Sequence, residues 1–180
     1  KINKKTKAIF ITHVLGFNSF SQKLLNELRR RKIKIIEDVC ESHGAKFKNK
    51  KLGTFGLISN FSFYYAHHMS TIEGGMISTN NRKIYEMARM MRSHGMLREI
   101  KNNKLKNIYK KKYKNLNSEF IFMMPGFNMR NNEIGALIGI NQLKRLDSNN
   151  LKRKRNYKLF LESIDSSKFR TNFDLKGSCN

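Results

Sequence analysis

Cysteine is scarce in this chain: Cys40 and Cys179 are the only two in 180 residues, and they lie far apart. That excludes a disulfide framework and a closed zinc site, and it fits a reducing, cytoplasmic setting. No apolar run approaches the ~20 residues a membrane span requires, and no secretory signal is read at the start. Acidic residues are also few, 13 against 37 lysines and arginines, for a net charge of +24. Such an excess would draw nucleic acids, anionic membranes or phosphorylated small molecules. Lysine, however, is spread along nearly the whole chain rather than gathered in one patch, as a composition rich in lysine, asparagine and isoleucine produces. Nucleic-acid binding is therefore not read from charge, whereas steering of a diphosphate-bearing substrate is compatible with it. One stretch breaks the pattern: there is no lysine from Leu52 to Arg82, and there His67 and His68 sit between an aromatic run and the turn Glu73-Gly74-Gly75.

The length suffices for one full core and the beginning of a second unit. Lys1 is not an initiator methionine and no closing element precedes Asn180, so the chain is read as part of a longer protein. Residues 8–12 are apolar and β-branched and predict a buried strand. Asn18 or Ser19 is a candidate cap for a helix over 21–31, with Leu24, Leu25 and Leu28 on its apolar face. Residues 34–38 predict a second strand ending on two carboxylates, Glu37 and Asp38. Strand, helix, strand at these lengths make a βαβ unit, hence a parallel sheet flanked by helices. Ligands of open α/β sheets bind at the carboxyl ends of strands, which puts Asp38 at a site.

Further strands are predicted over 58–66 and 75–79. A helix follows from Asn80 or Asn81 to about His94, whose Ile84, Met87, Ala88 and Met91 predict core packing rather than a cofactor box. Residues 97–118 dissolve into lysine and asparagine, with Leu105, Ile108 and Tyr109 as weak anchors, and predict a mobile basic loop. After the turn at Pro125-Gly126, a helix from Asn131 or Asn132 to Leu146 should pack through Ile134, Leu137, Ile138 and Ile140. A separate helix from Ser148 or Asn149 to Ile164 carries Leu151, Tyr157, Phe160 and Leu161.

Three segments together carry chemistry. They are Ile36-Glu-Asp38-Val-Cys-Glu41-Ser-His-Gly44, the run from Ser62 to Gly75, and Gly126-Phe-Asn128-Met-Arg130-Asn-Asn-Glu133. In order and spacing they resemble the DegT/DnrJ/EryC1/StrS family of pyridoxal-phosphate (PLP) sugar aminotransferases, and Thr6-Lys-Ala-Ile and Gln142-Leu-Lys-Arg-Leu-Asp147 fit the same pattern. The family's upstream glycine/threonine turn for the cofactor phosphate and most of its C-terminal domain have no counterpart here. The resemblance implies an α/β, aspartate-aminotransferase-like (fold type I) large domain with a mainly parallel sheet, truncated at both ends. Residues 1–147 would belong to that PLP-binding domain and 148–180 to the start of a small C-terminal domain.

The resemblance also assigns roles. A PLP ring is an electron sink only while its pyridine nitrogen stays protonated, which a neighbouring carboxylate secures; Asp38 matches that carboxylate. Glu41 stands where the aminotransferases carry glutamine near the ring hydroxyl. Ser62 matches a serine that donates to the cofactor phosphate, and Asn128 an asparagine that reaches the phosphate across a homodimer interface. Arg130 and Glu133 would fix the loop and cap the following helix.

The departure is His67. Six residues before Glu73, it holds the position of the family's Schiff-base lysine. An imidazole cannot form that covalent link, but with an unperturbed pKa of about 6.5 it can act as a general base. This is similar to the family's 3-dehydratases, in which pyridoxamine phosphate (PMP) condenses with a nucleotide-linked 4-keto-6-deoxyhexose, the histidine removes a proton and the C3 hydroxyl leaves. His68 would be a packing or orienting neighbour, and His94 has no assigned role. One dehydratase branch carries a Cys-x-Cys stretch after the helix ending here at Arg92-Ser-His94-Gly95. The residues that follow, Met96 to Ile100, hold no cysteine, so no iron–sulfur cluster is expected. The iron-independent branch regenerates PMP from L-glutamate, in deoxysugar and lipopolysaccharide O-antigen synthesis. The alternatives are a nucleotide-sugar aminotransferase and a basic binding module that has lost catalysis.

Overall fold

Side-chain alternation along short β-branched runs, punctuated by capping residues, sets the order of elements. A computed structural model describes residues 2–180. The chain runs β1 (Ala8–Thr12), α1 (Gln22–Arg30), β2 (Lys34–Asp38), β3 (Lys46–Phe47), β4 (Lys50–Lys51), β5 (Ile58–Ser62), β6 (Gly75–Ser78), α2 (Arg82–Met91), α3 (Asn103–Lys112) and α4 (Glu133–Ser163). Chain contacts gather these into two units: the residues up to Ser78 together with Glu133–Asn180, and Thr79–Asn132.

In the first unit β1, β2, β5 and β6 form a four-stranded sheet in that order. β1 and β2 are parallel, as the βαβ pattern predicts, β5 continues parallel to β2, and β6 runs antiparallel to β5 with Ser62 opposite Gly75. The helix α1 begins where the Ser21 side chain accepts the Leu24 N–H at 3.2 Å, two or three residues later than the predicted cap. It lays Leu24, Leu25 and the fully buried Leu28 onto one face of the sheet, where they meet Ile9, Ile11, Ile33, Ile35 and Phe61. A fully buried leucine contributes roughly 1.5–3 kcal/mol, so this face anchors the unit.

The opposite face is open. Phe10 is 59% and Ile77 54% exposed, and only Ile11 of β1 is buried. The buried strand expected over 8–12 is therefore an edge strand covered on one side, and a β-branched run by itself does not distinguish the two. The strand expected over 58–66 stops at Ser62, where the chain turns into a loop over 63–74.

The pair of helices expected on either side of residue 147 is one continuous helix, α4. Its buried positions include Gly135, Gly139, Leu146 and Asn150, while Ile134 and Leu137, expected to pack, are 72% and 68% exposed. Small residues face inward because the helix passes close: a Cβ at Gly139 would come within 3.2 Å of the Thr71 methyl. Ser148, read as a cap, instead bonds back to the Arg145 carbonyl at 2.9 Å without ending the helix.

The second unit is built on Met90, Leu97, Ile100 and Ile121, with Leu105 and Tyr109 packed against them. Asn81 caps α2, accepting from Lys83 and Ile84. Its inward positions are Glu86 and Met90 rather than the Met87 and Met91 expected. Glu86 can face inward because Arg82 and the Lys101 N–H, at 2.8 Å, satisfy its carboxylate. The mobile loop expected over 97–118 contains α3, capped by Asn102 on the Leu105 N–H at 3.2 Å. The weak anchors Leu105 and Tyr109 are what dock it, and three lysines in its last turn complement the helix dipole.

Candidate active site

The two carboxylates that end β2 point to opposite faces of the sheet, as residues adjacent along a strand must. Glu37 enters the buried face with no exposure. Its Oε1 accepts the N–H groups of Phe55 (2.7 Å) and Gly56 (2.6 Å), and its Oε2 that of Gly53 (2.6 Å). His13, equally buried at the end of β1, accepts the Ser19 N–H on Nδ1 at 3.2 Å, which leaves the ring proton on Nε2, 3.5 Å from Glu37 Oε2. Burial works to raise the Glu37 carboxyl, but His13 and the three amides outweigh it and hold the group below its ordinary value. Glu37 thus fixes the 53–56 loop under the strand ends and is absent from the open face.

Asp38 turns to that open face. Its Oδ1 accepts the Asn60 amide at 2.9 Å and the Cys40 N–H at 3.1 Å. Burial tends to raise its carboxyl, and the Cys40 thiol and amide, Asn60 and Thr12 overcome that and lower it. Thr12 and Asn60 are the residues paired with Asp38 on the flanking strands. Cys40 stays a thiol, pushed up to about 11 by burial and the adjacent Asp38.

Beyond Ser62 the loop over 63–74 carries the histidines. Its ends are tied to each other, Thr71 N–H to the Phe63 carbonyl at 2.7 Å and Phe63 N–H to that of Gly74 at 2.8 Å. Inside it the His67 N–H meets the Tyr64 carbonyl at 3.2 Å, and the two rings stand edge to face with centroids 4.9 Å apart. Ile72 sits at φ +74°, an uncommon backbone for a β-branched residue. Ser62 lies at the strand end, its hydroxyl 3.5 Å from the Tyr64 N–H.

His67 is half-buried, whereas His68 is packed away on the Cys179 thiol, with Sγ 3.2 Å from Nε2. Burial, then Arg153 and the neighbouring His43 and His67, lowers His68 to about 4, and burial raises Cys179 to about 11. Both partners are neutral, so the pair is a thiol–imidazole hydrogen bond and not a thiolate nucleophile. The sequence reading passed over His43. Its buried ring lies 6.1 Å from that of His67, between Phe61 and Phe63, and burial and then His67 lower it to about 4. The Asn150 amide of α4 holds the His43 carbonyl at 2.8 Å.

Of the remaining expected residues, Glu41 accepts the Leu15 N–H at 2.6 Å and so supports the left-handed turn at Leu15 and Gly16. Asn128 belongs to the second unit, exposed on a segment that bridges to Ser93, with the Phe127 carbonyl taking the His94 N–H at 2.7 Å. Asp38, Ser62 and the His67 loop thus share the carboxyl end of one sheet, Glu41 lies on the turn after β2, and Asn128 is held separately. The residues that sequence reasoning missed are Asn60, Cys40 and His43; the last was visible only as part of the Ser42-His43-Gly44 motif.

An open, mostly parallel sheet with a carboxylate and a histidine-bearing loop at its strand ends is the arrangement of an aminotransferase-like domain. The chain belongs to the DegT/DnrJ/EryC1/StrS aminotransferase family, whose pattern matches residues 1–176. Among its relatives, the GDP-4-keto-6-deoxy-D-mannose 3-dehydratase of Escherichia coli O55:H7 is 38% identical over 91% of this chain and 42% of the relative. The enzyme of the same name from Yersinia pseudotuberculosis is 35% identical over 92% and 42%, respectively. A solved structure of the E. coli 3-dehydratase with bound hydrated PLP superposes with a TM-score of 0.76 and 35% identity, over 89% of this chain and 41% of that one. The chain therefore spans about two-fifths of the length of the relatives it matches.

Proposed function

We propose that this chain is the site-bearing part of a PLP/PMP-dependent dehydratase that removes the C3 hydroxyl of a nucleotide-linked 4-keto-6-deoxyhexose. The observation that carries the reading is His67, on a loop at the carboxyl end of the sheet that also presents Asp38, in a chain with no lysine from Leu52 to Arg82. Its similarity to 3-dehydratases supports the same reaction class.

The residues present fit the cofactor. Asp38 is a carboxylate kept ionised by its hydrogen bonds, suited to a protonated pyridine nitrogen, and Ser62 offers a hydroxyl for a phosphate at the same strand ends. When bound, PMP supplies an amine for the keto sugar and a ring that delocalises electrons. The chain's own part is acid–base work and positioning. His67 accepts and returns a proton, oriented by the Tyr64 carbonyl and ring. His43 and His68 stay uncharged at neutral pH and pack the loop from behind. Glu41 steadies the Leu15–Gly16 turn and would reach the ring region only if that hydrogen bond is exchanged.

In the complete protein, residues 1–147 belong to the large domain and 148–180 begin the small one, with α4 shared between them. L-Glutamate regenerates PMP, a homodimer brings Asn128 to the neighbouring subunit's site, and the reaction serves O-antigen deoxysugars in the cytoplasm. The test is His67→Lys in the complete protein, assayed with PMP, L-glutamate and GDP-4-keto-6-deoxymannose. Loss of dehydration with appearance of a borohydride-trappable PLP adduct supports the reading. Unchanged dehydration, or a trappable adduct in the unaltered protein, refutes it.

A further inference from the structure

We infer that Asn60 is a positioning residue for the cofactor ring: its side-chain amide, together with the Cys40 N–H, commits Asp38 Oδ1 to the protein, so that the ring nitrogen meets Oδ2. The inference rests on the proposed cofactor role of Asp38. Asn60 lies opposite Asp38 in the β2–β5 register, and the backbone pairing there, with Val39 N–H on the Asn60 carbonyl at 3.0 Å, does not need its side chain. Yet the side chain turns to the open face and spends both amide hydrogens. One goes to Asp38 Oδ1 at 2.9 Å and one to Cys40 Sγ at 3.1 Å. A carboxylate only accepts, so the network fixes the amide's orientation.

The Cys40 thiol remains protonated and serves as a second donor to the carboxylate rather than a nucleophile. The Cys40 N–H, at 3.1 Å, shares Oδ1 with the Asn60 amide, and the Thr12 hydroxyl also bonds the carboxylate. A carboxylate so held cannot rotate freely and pairs with a pyridinium through its other oxygen. Neutral groups achieve this, so the pair of opposite charges is left to Asp38 and the ring. An arginine or lysine in place of Asn60 would compete with the ring for the same anion.

The test uses the complete protein with Asn60→Ala, Asn60→Asp and Asp38→Asn, each first checked for an unchanged circular-dichroism melt. The carboxyl of Asp38 is titrated by carbon-13 NMR without cofactor, and PMP affinity is followed by absorbance. Loss of one hydrogen bond to a charged group should raise Asp38 by about one pH unit in Asn60→Ala, and further in Asn60→Asp, where two carboxylates share a proton. PMP should bind about tenfold more weakly to Asn60→Ala, because the carboxylate is no longer held with one oxygen turned to the ring. An Asp38 titration unmoved by Asn60→Ala overturns the positioning role and leaves the cofactor reading standing. A moved titration with PMP binding indifferent to Asp38→Asn overturns the cofactor reading instead, and the inference with it.

Discussion

Glu37→Gln is the sharpest test of how this site is supported from below. Glu37 receives three amide N–H groups within 2.7 Å and faces the His13 ring, all without exposure to water. Glutamine keeps one oxygen, which can serve the Phe55 and Gly56 amides, but its NH2 group then faces the Gly53 N–H and the proton on His13 Nε2. One charge-assisted hydrogen bond is lost and a buried donor is left unpaired, a cost of about 2–4 kcal/mol. For a urea m-value of roughly 1–3 kcal/mol/M, the midpoint should fall by about 1–2 M at unchanged m. Far-UV circular dichroism is the assay, because the chain has no tryptophan. The difference should also close in acid. Glu37 titrates below its ordinary value in the fold, so its contribution is present above about pH 4.3, the unfolded value, and disappears as pH falls through the folded one. A midpoint lowered by less than about 0.3 M at pH 7 refutes the tether, since that is worth under 1 kcal/mol on the same slope.

His43 should make the chain acid-labile by the opposite ionisation. Its imidazole sits at about 4 in the fold and near 6.5 unfolded, so stability is full above that range and falls by about 3 kcal/mol as pH drops from 7 to 4. His68, also lowered to about 4, adds a like loss, so His43→Phe should remove about half of the decline between pH 7 and 4, and an undiminished decline assigns the lability elsewhere. Leu28→Ala, at a fully buried position of α1, should cost about 2–5 kcal/mol in a urea melt; a loss under 1 kcal/mol would mean that α1 does not anchor the sheet. Lys32, at φ +56° just after α1, should be improved by Lys32→Gly, by about 0.5–1 kcal/mol in the same melt, and destabilisation would contradict the strain.

How far the sequence could be read follows from the range of the interactions involved. The position of Asp38 at a strand end was legible from the local β pattern. Ser62 and His67 were singled out instead by the spacing of the family resemblance, and the structure sets both at the same sheet end. The parallel pairing of β1 with β2 followed from the local βαβ pattern, while the place of β5 beside β2 did not. Asn60 was not legible, since its role depends on which residue of β2 lies opposite it, a matter of register between strands 20 or so residues apart. The inward glycines of α4 were missed because Ile134 and Leu137 carry the stronger apolar signal, although the close approach to Thr71 requires small residues. The helix α3 was hidden by lysine: Leu105 and Tyr109 on a polar background suffice once Ile100 and Ile121 supply the surface they dock on. Asp147-Ser148-Asn149-Asn150 reads as a helix stop, but Asn150 spends its amide on the His43 carbonyl and stays within the helix.

The thiol of Cys179 against His68 and the Cys179 N–H on the Gly16 carbonyl join residues 111 and 163 positions apart, and Asn150 reaches back 107 positions to His43. Such contacts are late arrivals in folding, because loop closure over that distance must be met before they reward it. On a ribosome adding roughly 5–20 residues per second, β1 to β6 emerge several seconds before the segment that backs the histidine loop. During that interval the His43 carbonyl and the His68 ring lack the Asn150 and Cys179 side chains that later back them. The loop that carries His67 therefore settles last, after a sheet that has been complete for seconds.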